Sequence, residues 1–267
     1  MTRIAITGAS GRMGRSLIEA VLKDDNAILS AAVVRPENSL VGTDVGELVS
    51  VGATGVLISD CLANSLDGFD VLVDFTTPDT TLENLHLCVP AGKKVVIGTT
   101  GFSSAQFREL ETHAQSEAVC FAANYSTGVN VLLKVLETVS KAMGEYSDIE
   151  ISEAHHRNKV DAPSGTALAL GNVIADTLGR SLDECAIYGR EGITGVRDRK
   201  TIGFSTVRAG DIVGDHTALF ASEGERIEIT HKASSRMAFS RGAIRAAHWL
   251  NQQPAGRLYS MMDVLSL

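Results

Sequence analysis

Two hydrophobic patterns divide the chain. In the first half, apolar residues come in short unbroken runs: Arg3-Ile-Ala-Ile-Thr7, Ala27 to Val34, Phe69-Asp-Val-Leu-Val-Asp-Phe75, Lys93-Lys-Val-Val-Ile-Gly98 and Ala118 to Ala123. Runs of this length and β-branched content predict strands buried on both faces. Val56-Leu-Ile58 predicts one more short strand, and the rest of 38–66 carries no decisive period. Between the runs, Met13, Leu17 and Val21 mark one face of a helix, and further helices are expected over about Thr80 to Ala91 and Ser103 to Ser116. Strands alternating with helices predict a mostly parallel, doubly wound sheet.

The second half changes period. Val129, Leu132, Leu133, Leu136, Val139 and Met143 stripe a long amphipathic helix, with Lys134, Glu137 and Lys141 off the stripe. Ser147-Asp-Ile-Glu-Ile-Ser-Glu-Ala154 then alternates polar and apolar, as a half-exposed strand does. A helix is expected from Thr166 to Leu178, capped by Ser164 and stopped by Gly179. Residues 180–200 predict a long, mobile loop. Strands follow at about Thr201 to Arg208, Asp215 to Ala221 and Glu225 to Lys232, and a helix closes over Ala238 to Leu250. The expected result is an α+β unit with a mixed, open sheet, helices on one face and the other face left for a neighbouring subunit.

At 267 residues the chain holds one large domain or two modest ones. A net charge of -8 with no basic stripe argues against a nucleic-acid partner. No apolar run reaches the roughly 18 residues of a membrane span. Cys61, Cys88, Cys120 and Cys185 are scattered without a C-x-x-C pair, as reduced thiols of a cytoplasmic protein would be, and no metal site is expected from them.

Candidate chemistry lies at three places. The first strand runs directly into Gly8-Ala-Ser-Gly-Arg-Met-Gly14 and then a helix. In a dinucleotide site the first glycine allows the tight turn, the second lets a pyrophosphate reach the backbone, and the third lets the helix pack closely. The second strand ends in Val34-Arg35-Pro36, with no acid to receive the ribose hydroxyls of NAD, and Arg35 suits the 2′-phosphate of NADP. The later strands end in Phe75-Thr-Thr77, Gly98-Thr-Thr100 and Ala123-Asn-Tyr125, which together form a bed for a nicotinamide and its ribose. The third place is Glu153-Ala-His-His-Arg-Asn-Lys-Val-Asp-Ala-Pro-Ser-Gly-Thr-Ala167. It sets His155, His156, Arg157 and Lys159 beside a helix N-terminus, where a carboxylate fits and where His155 and Lys159 can supply protons.

These motifs, with Val73-Asp-Phe-Thr76, Ile97-Gly-Thr-Thr-Gly-Phe102, Phe121-Ala-Ala-Asn-Tyr-Ser126, Thr206-Val-Arg-Ala-Gly-Asp-Ile-Val-Gly214 and His231-Lys-Ala-Ser-Ser-Arg236, resemble the 4-hydroxy-tetrahydrodipicolinate (dihydrodipicolinate) reductase family over essentially the whole length. The resemblance implies an NAD(P)H-dependent oxidoreductase of diaminopimelate and lysine biosynthesis that reduces a cyclic imine dicarboxylate. It implies a Rossmann-type domain of residues 1–126 with 237–267, a substrate-binding and oligomerisation domain of residues 127–236, and a homotetramer. It implies His155 and Lys159 as proton-handling residues, and His156, Gly165 and Thr166 as substrate contacts. Cofactor contacts are implied at Gly8, Ala9, Ser10, Gly11, Arg12 and Met13, at Arg35, at Gly98, Thr99 and Thr100, and at Ala122, Ala123, Asn124 and Tyr125. Rim and loop fall in different domains, so domain closure around the ligands is expected. The chain departs from many relatives at Val34, where they carry an acid, and at Thr77, where they carry arginine. NADPH is therefore expected to be preferred, with NADH accepted. Two other readings suit the glycine turn: a related nicotinamide dehydrogenase such as one for homoserine or aspartate semialdehyde, and a non-catalytic cofactor-sensing protein. The presence of both His155 and Lys159 favours an enzyme.

Overall fold

The computed structural model describes all residues, 1–267. In chain order the elements are β1 Thr2–Thr7, α1 Arg12–Leu22, β2 Ala27–Val33, α2 Val45–Val49, β3 Ile58–Ser59, a 3-10 helix Leu62–Gly68, β4 Val71–Asp74, α3 Pro78–Cys88, β5 Lys94–Ile97, α4 Ser104–Ser116 and β6 Val119–Phe121. They continue with α5 Thr127–Met143, β7 Asp148–His155, α6 Gly165–Thr177, α7 Leu182–Cys185, β8 Ala186–Ile187, β9 Ile202–Arg208, β10 Gly214–Ser222, β11 Glu225–Ala233, α8 Met237–Leu250, β12 Leu258–Tyr259 and α9 Met261–Leu265. Two compact units result: residues 1–127 with 236–267, and residues 128–235.

The first unit is a parallel sheet in the order β12-β6-β5-β4-β1-β2-β3. Its strands are apolar through their middles, on both sides, because both faces are covered. Ile4, Ile6, Val71, Val73 and Val96 face one core with Leu17, Ile18 and Val21 of α1 and Ala243, Ile244 and Ala247 of α8. The intervening Ala5, Leu72, Val95 and Ile97 face another with Leu82 and Leu85 of α3 and Leu110 and Ala114 of α4. Each fully buried valine, leucine or isoleucine among them contributes about 1.5–3 kcal/mol. The C-terminal return is fixed by more than packing. Lys94 Nζ donates to the carbonyls of Asn251 and Gln253, each at 2.8 Å, and β12 adds an edge strand beside β6 that the hydrophobic pattern did not reveal.

The second unit is a mixed sheet, β11-β10-β7-β9-β8. β7 pairs antiparallel with β10 and parallel with β9. The predicted alternation is visible residue by residue: Ile149, Ile151, Glu153 and His155 are buried, whereas Asp148 and Ser152 are exposed. The buried face packs on Leu132 and Leu136 of α5 and on Leu170 and Ile174 of α6. The expectation of a mobile loop over 180–200 needs correction. That stretch contains α7 and the edge strand β8, and Arg197 fastens its end. The Arg197 guanidinium binds Asp148, Glu150 and the carbonyls of Ile149 and Thr201, at 2.7 to 3.0 Å. Charges that look like those of a solvated loop are spent holding it to β7. No helix is long and apolar enough to cross a membrane.

Candidate active site

In the second unit the site grows from the period of β7. Residues two apart share a face, so Glu153 and His155 continue the buried face begun by Ile149 and Ile151. Neighbouring strands bring matching polar groups to the same end: His216 lies opposite Glu153, and Arg208 beside His155. Glu153, with a side chain only 1 % exposed, is the hub. Its carboxylate accepts from His155 Nδ1 at 2.6 Å, from both Arg208 Nη atoms at 2.8 Å and from the Ser164 backbone at 3.1 Å. Burial by itself would raise its pKa, but the hydrogen bonds from Arg208 and His155 outweigh it and hold the acid below the usual range. An ionised Glu153 requires a proton on His155 Nδ1, which orients the ring and leaves Nε2 on its other side. That Nε2 lies where Gly214 has no side chain: a Cβ there would sit 3.0 Å away.

Ser164 links this hub to α6. Its hydroxyl accepts from the Ala167 amide at 3.1 Å as the N-cap and is hydrogen-bonded to His216 Nε2 at 2.9 Å. Burial, and next the charge of His155, press His216 down to a pKa of about 4, so it is neutral at pH 7. Gly165 and Thr166 open the first turn of α6, where backbone N–H groups point away from the helix. The intervening loop is tied down at both ends. Ala209 donates to the His155 carbonyl, Arg157 to the Gly210 carbonyl, and Arg208 to the Asp161 carbonyl. Lys159 lies 2.9 Å from Asp161 in an ion pair, and Arg157 is exposed. His156 is half-buried, and its Nδ1 is buried without a hydrogen-bond partner. His155, His156, Lys159, Gly165 and Thr166 are thus all carried by one strand end, its loop and the following helix start.

In the first unit, the carboxyl ends of the strands carry the remaining candidates. Gly8 adopts φ +66° and Gly11 donates to its carbonyl at 3.0 Å. Any Cβ on Gly14 would collide with the Gly8 carbonyl and the Ala9 backbone, so α1 approaches the turn only because residue 14 is glycine. The N-terminus of α1 has no side-chain cap and no acid in its first turn. An uncapped, positively polarised helix end beside a glycine turn is an anion site. Ala9 is fully buried and its amide is held by the Val33 carbonyl, while Ser10, Gly11, Arg12 and Met13 line the more open side. Arg12 and Arg35 are exposed and make no ion pair, and Val34 is buried in the core.

The other turns are braced from below. Asp74, fully buried at the end of β4, accepts from the Thr76 amide and hydroxyl and from Asn84. Burial pushes its carboxyl pKa up against the pull of those hydrogen bonds. Thr99 receives the Thr76 amide and the Thr81 hydroxyl, both at 2.9 Å, which joins the 75–77 turn to the 98–100 turn. Gly98 has no room for a side chain because the Phe75 ring lies against it. The Tyr125 ring lies 5.6 Å from Phe75, and its hydroxyl donates to the carbonyls of Ile97 and Cys120. Tyr125 and Thr99 therefore spend their side chains inside the protein. Gly98, Thr100, Ala122, Ala123 and Asn124 flank them on the same turns. Glu153, Arg208, His216 and Asp74 received no role from sequence reasoning, and Ser164 was expected only as the helix cap that it is. For Glu153 the signal was present, since an acid on the apolar face of an alternating strand requires a partner.

A glycine turn on a parallel sheet, followed by a mixed-sheet unit with buried acid–base groups, is the make-up of a nicotinamide-dependent oxidoreductase. Family profiles described as dihydrodipicolinate reductase, N-terminus and C-terminus, match residues 2–125 and 128–265. A 4-hydroxy-tetrahydrodipicolinate reductase from Hahella chejuensis (strain KCTC 2396) is 60% identical over 267 residues, 100% of each chain. The chain belongs to the dihydrodipicolinate reductase family. Among solved structures, a dipicolinate-bound dihydrodipicolinate reductase from Paenisporosarcina sp. TG-14 shares the fold, with a TM-score of 0.77, 24% identity and 98% of each chain covered. An amine dehydrogenase from Mycobacterium smegmatis shares it more distantly, at a TM-score of 0.62 and 13% identity over 96% of this chain and 94% of its own. The boundary between the two profiles follows the sequence, whereas the structure returns 236–267 to the first unit.

Proposed function

We propose that the chain reduces 4-hydroxy-tetrahydrodipicolinate to tetrahydrodipicolinate in diaminopimelate and lysine biosynthesis, with NAD(P)H as reductant. Family membership, carried by the 60% identity over the whole chain, is the observation on which this rests. The dihydronicotinamide supplies a hydride when bound. The residues present fit such a group. The uncapped N-terminus of α1 and the Gly8–Gly11 turn offer backbone N–H groups to a pyrophosphate, and the rim turns 98–100 and 122–125 offer backbone to the nicotinamide end.

The chain's own residues do the rest. The substrate carries two carboxylates and a ring nitrogen that gains a proton as water leaves. The helix start at Gly165 and Thr166, with His156 on the same loop, receives carboxylate oxygens. His155 and Lys159 supply and hold the proton at the nitrogen, a contribution worth typically 10²–10⁴-fold in rate. Glu153 keeps the His155 ring in one orientation and tautomer. In a coupled assay, the preceding synthase forms the substrate from pyruvate and aspartate semialdehyde, and NADPH absorbance is followed. Oxidation only when this protein is added is expected; none, with either nicotinamide, would remove the reading.

NADPH is the preferred form, with NADH accepted. Support comes from the unpaired Arg35 and Arg12 and from Val34, whose burial leaves no acid at the end of β2. A homotetramer assembles through the uncovered face of the second sheet, in the cytoplasm. Support for assembly is that face itself, where Thr217 and Thr230 bond across strands at 2.9 Å and Val207 is 52% exposed.

A further inference from the structure

One side-chain cluster has no part in this chemistry. His86 lies near the end of α3, and Glu109 and His113 lie one turn apart on α4, an i, i+4 spacing that puts both on one helix face. His86 Nε2 is 3.1 Å from Glu109 Oε1. The His86 and His113 rings meet edge to face with centroids 4.9 Å apart. One nitrogen or oxygen from each of the three residues lies within 4.8 Å of the others.

The helices are already aligned for this meeting. At their N-terminal ends, Gln106 donates to Asp79 at 2.8 Å. His86 and His113 each follow those residues by about two helical turns. The two helices therefore run side by side in the same direction, and the cluster is held by the fold rather than by a chance contact of long side chains.

We propose that His86, Glu109 and His113 form a binding site for a divalent first-row transition metal, with zinc as the best fit. Two imidazoles and one carboxylate suit zinc, copper or nickel, whereas magnesium and calcium require oxygen donors. Ligand atoms on a tetrahedral zinc, at bonds of about 2.0–2.2 Å, stand roughly 3.3–3.5 Å apart. The 3.1 Å between His86 and Glu109 is near that, and rotation about the side-chain bonds closes the rest. Three protein ligands leave the fourth position to water, so the ion exchanges readily. It clips α3 to α4, the two helices that begin directly after the rim turns at 75–77 and 98–103.

The test is calorimetric titration of zinc chloride into the chelator-treated, full-length protein, repeated with cobalt(II) to read tetrahedral coordination from its visible absorption. The wild type is expected to bind one zinc per chain with a micromolar Kd. His86→Ala/His113→Ala is expected to weaken binding at least tenfold and abolish the cobalt band, with reductase activity unchanged. Glu109→Gln is expected to weaken it less. Absence of binding in the wild type would overturn the proposal. So would binding that survives in His86→Ala/His113→Ala, including binding lost only in His216→Gln, which would move the ion to the histidines of the second unit. None of these outcomes depends on which substrate the protein reduces.

Discussion

Replacing Glu153 with glutamine tests whether the His155 ring is positioned by its buried neighbour. Four donors converge on the carboxylate: His155 Nδ1, two Arg208 nitrogens and the Ser164 amide. Glutamine keeps the shape but offers one acceptor oxygen, and its NH₂ must face at least one of those donors. Each lost hydrogen bond to a charged group costs about 1.5–3 kcal/mol, and breaking a buried pair costs about 3–5 kcal/mol. Arg208 keeps partial access to water, with a side chain 20% exposed, which favours the lower end. The expected loss is therefore about 3 kcal/mol of stability in denaturant unfolding. With His155 no longer held in one tautomer, kcat should fall roughly 10²-fold with a smaller change in KM. Arg208→Lys is the comparison, because it weakens the same cluster and leaves the Glu153–His155 bond in place. It should lose stability while keeping kcat within about fivefold. A Glu153→Gln enzyme with wild-type kcat, or with no greater loss than Arg208→Lys, would show that the pair is structural only.

His155→Ala and Lys159→Ala should each fold and each lower kcat roughly 10²-fold or more in the coupled NADPH assay; wild-type turnover in both would remove them from the chemistry. Arg35→Ala should raise KM for NADPH about tenfold, as loss of one charge-assisted bond predicts, and leave NADH nearly unchanged. A wild type with higher kcat/KM for NADH would contradict the assignment of Arg35. His216 titrates near 4 in the folded chain and at 6.5 ordinarily, so the unfolded chain takes up the proton first. Stability should therefore fall as pH drops from about 6.5 to 4, by an amount on the order of 2–3 kcal/mol. His216→Gln should flatten that slope in urea unfolding at several pH values; an unaltered slope would assign it elsewhere. Sedimentation should give a tetramer at micromolar concentration, and a monomer would exclude assembly through the second sheet.

Much of this organisation was legible before any coordinates. Unbroken apolar runs specify strands covered on both sides, and strict alternation over 147–154 specifies a strand covered on one, because side chains alternate faces with a period of two. The glycine turn and the cap at Ser164 were local features, set by φ and by a hydroxyl within reach of its own helix. The His155 loop could be singled out because its charges crowd a helix start.

What required tertiary structure was everything joined across distance. A parallel sheet needs helices on both faces, and nothing local in 237–250 says that α8 joins α1 in covering one of them. The charges of Arg190 and Arg197 looked solvated because Asp148 and Glu150 are remote in sequence, and only the fold brings them within hydrogen-bond reach. The alternation of β7 determined that Glu153 would be buried, yet not by what it would be neutralised. Arg208 reaches it through the pairing of β9 with β7, and pairing between strands far apart in the chain leaves no mark on either strand's own pattern. Period and propensity act over a few residues; the buried charge at the centre of this site is balanced over tens of them, which only the folded chain can arrange.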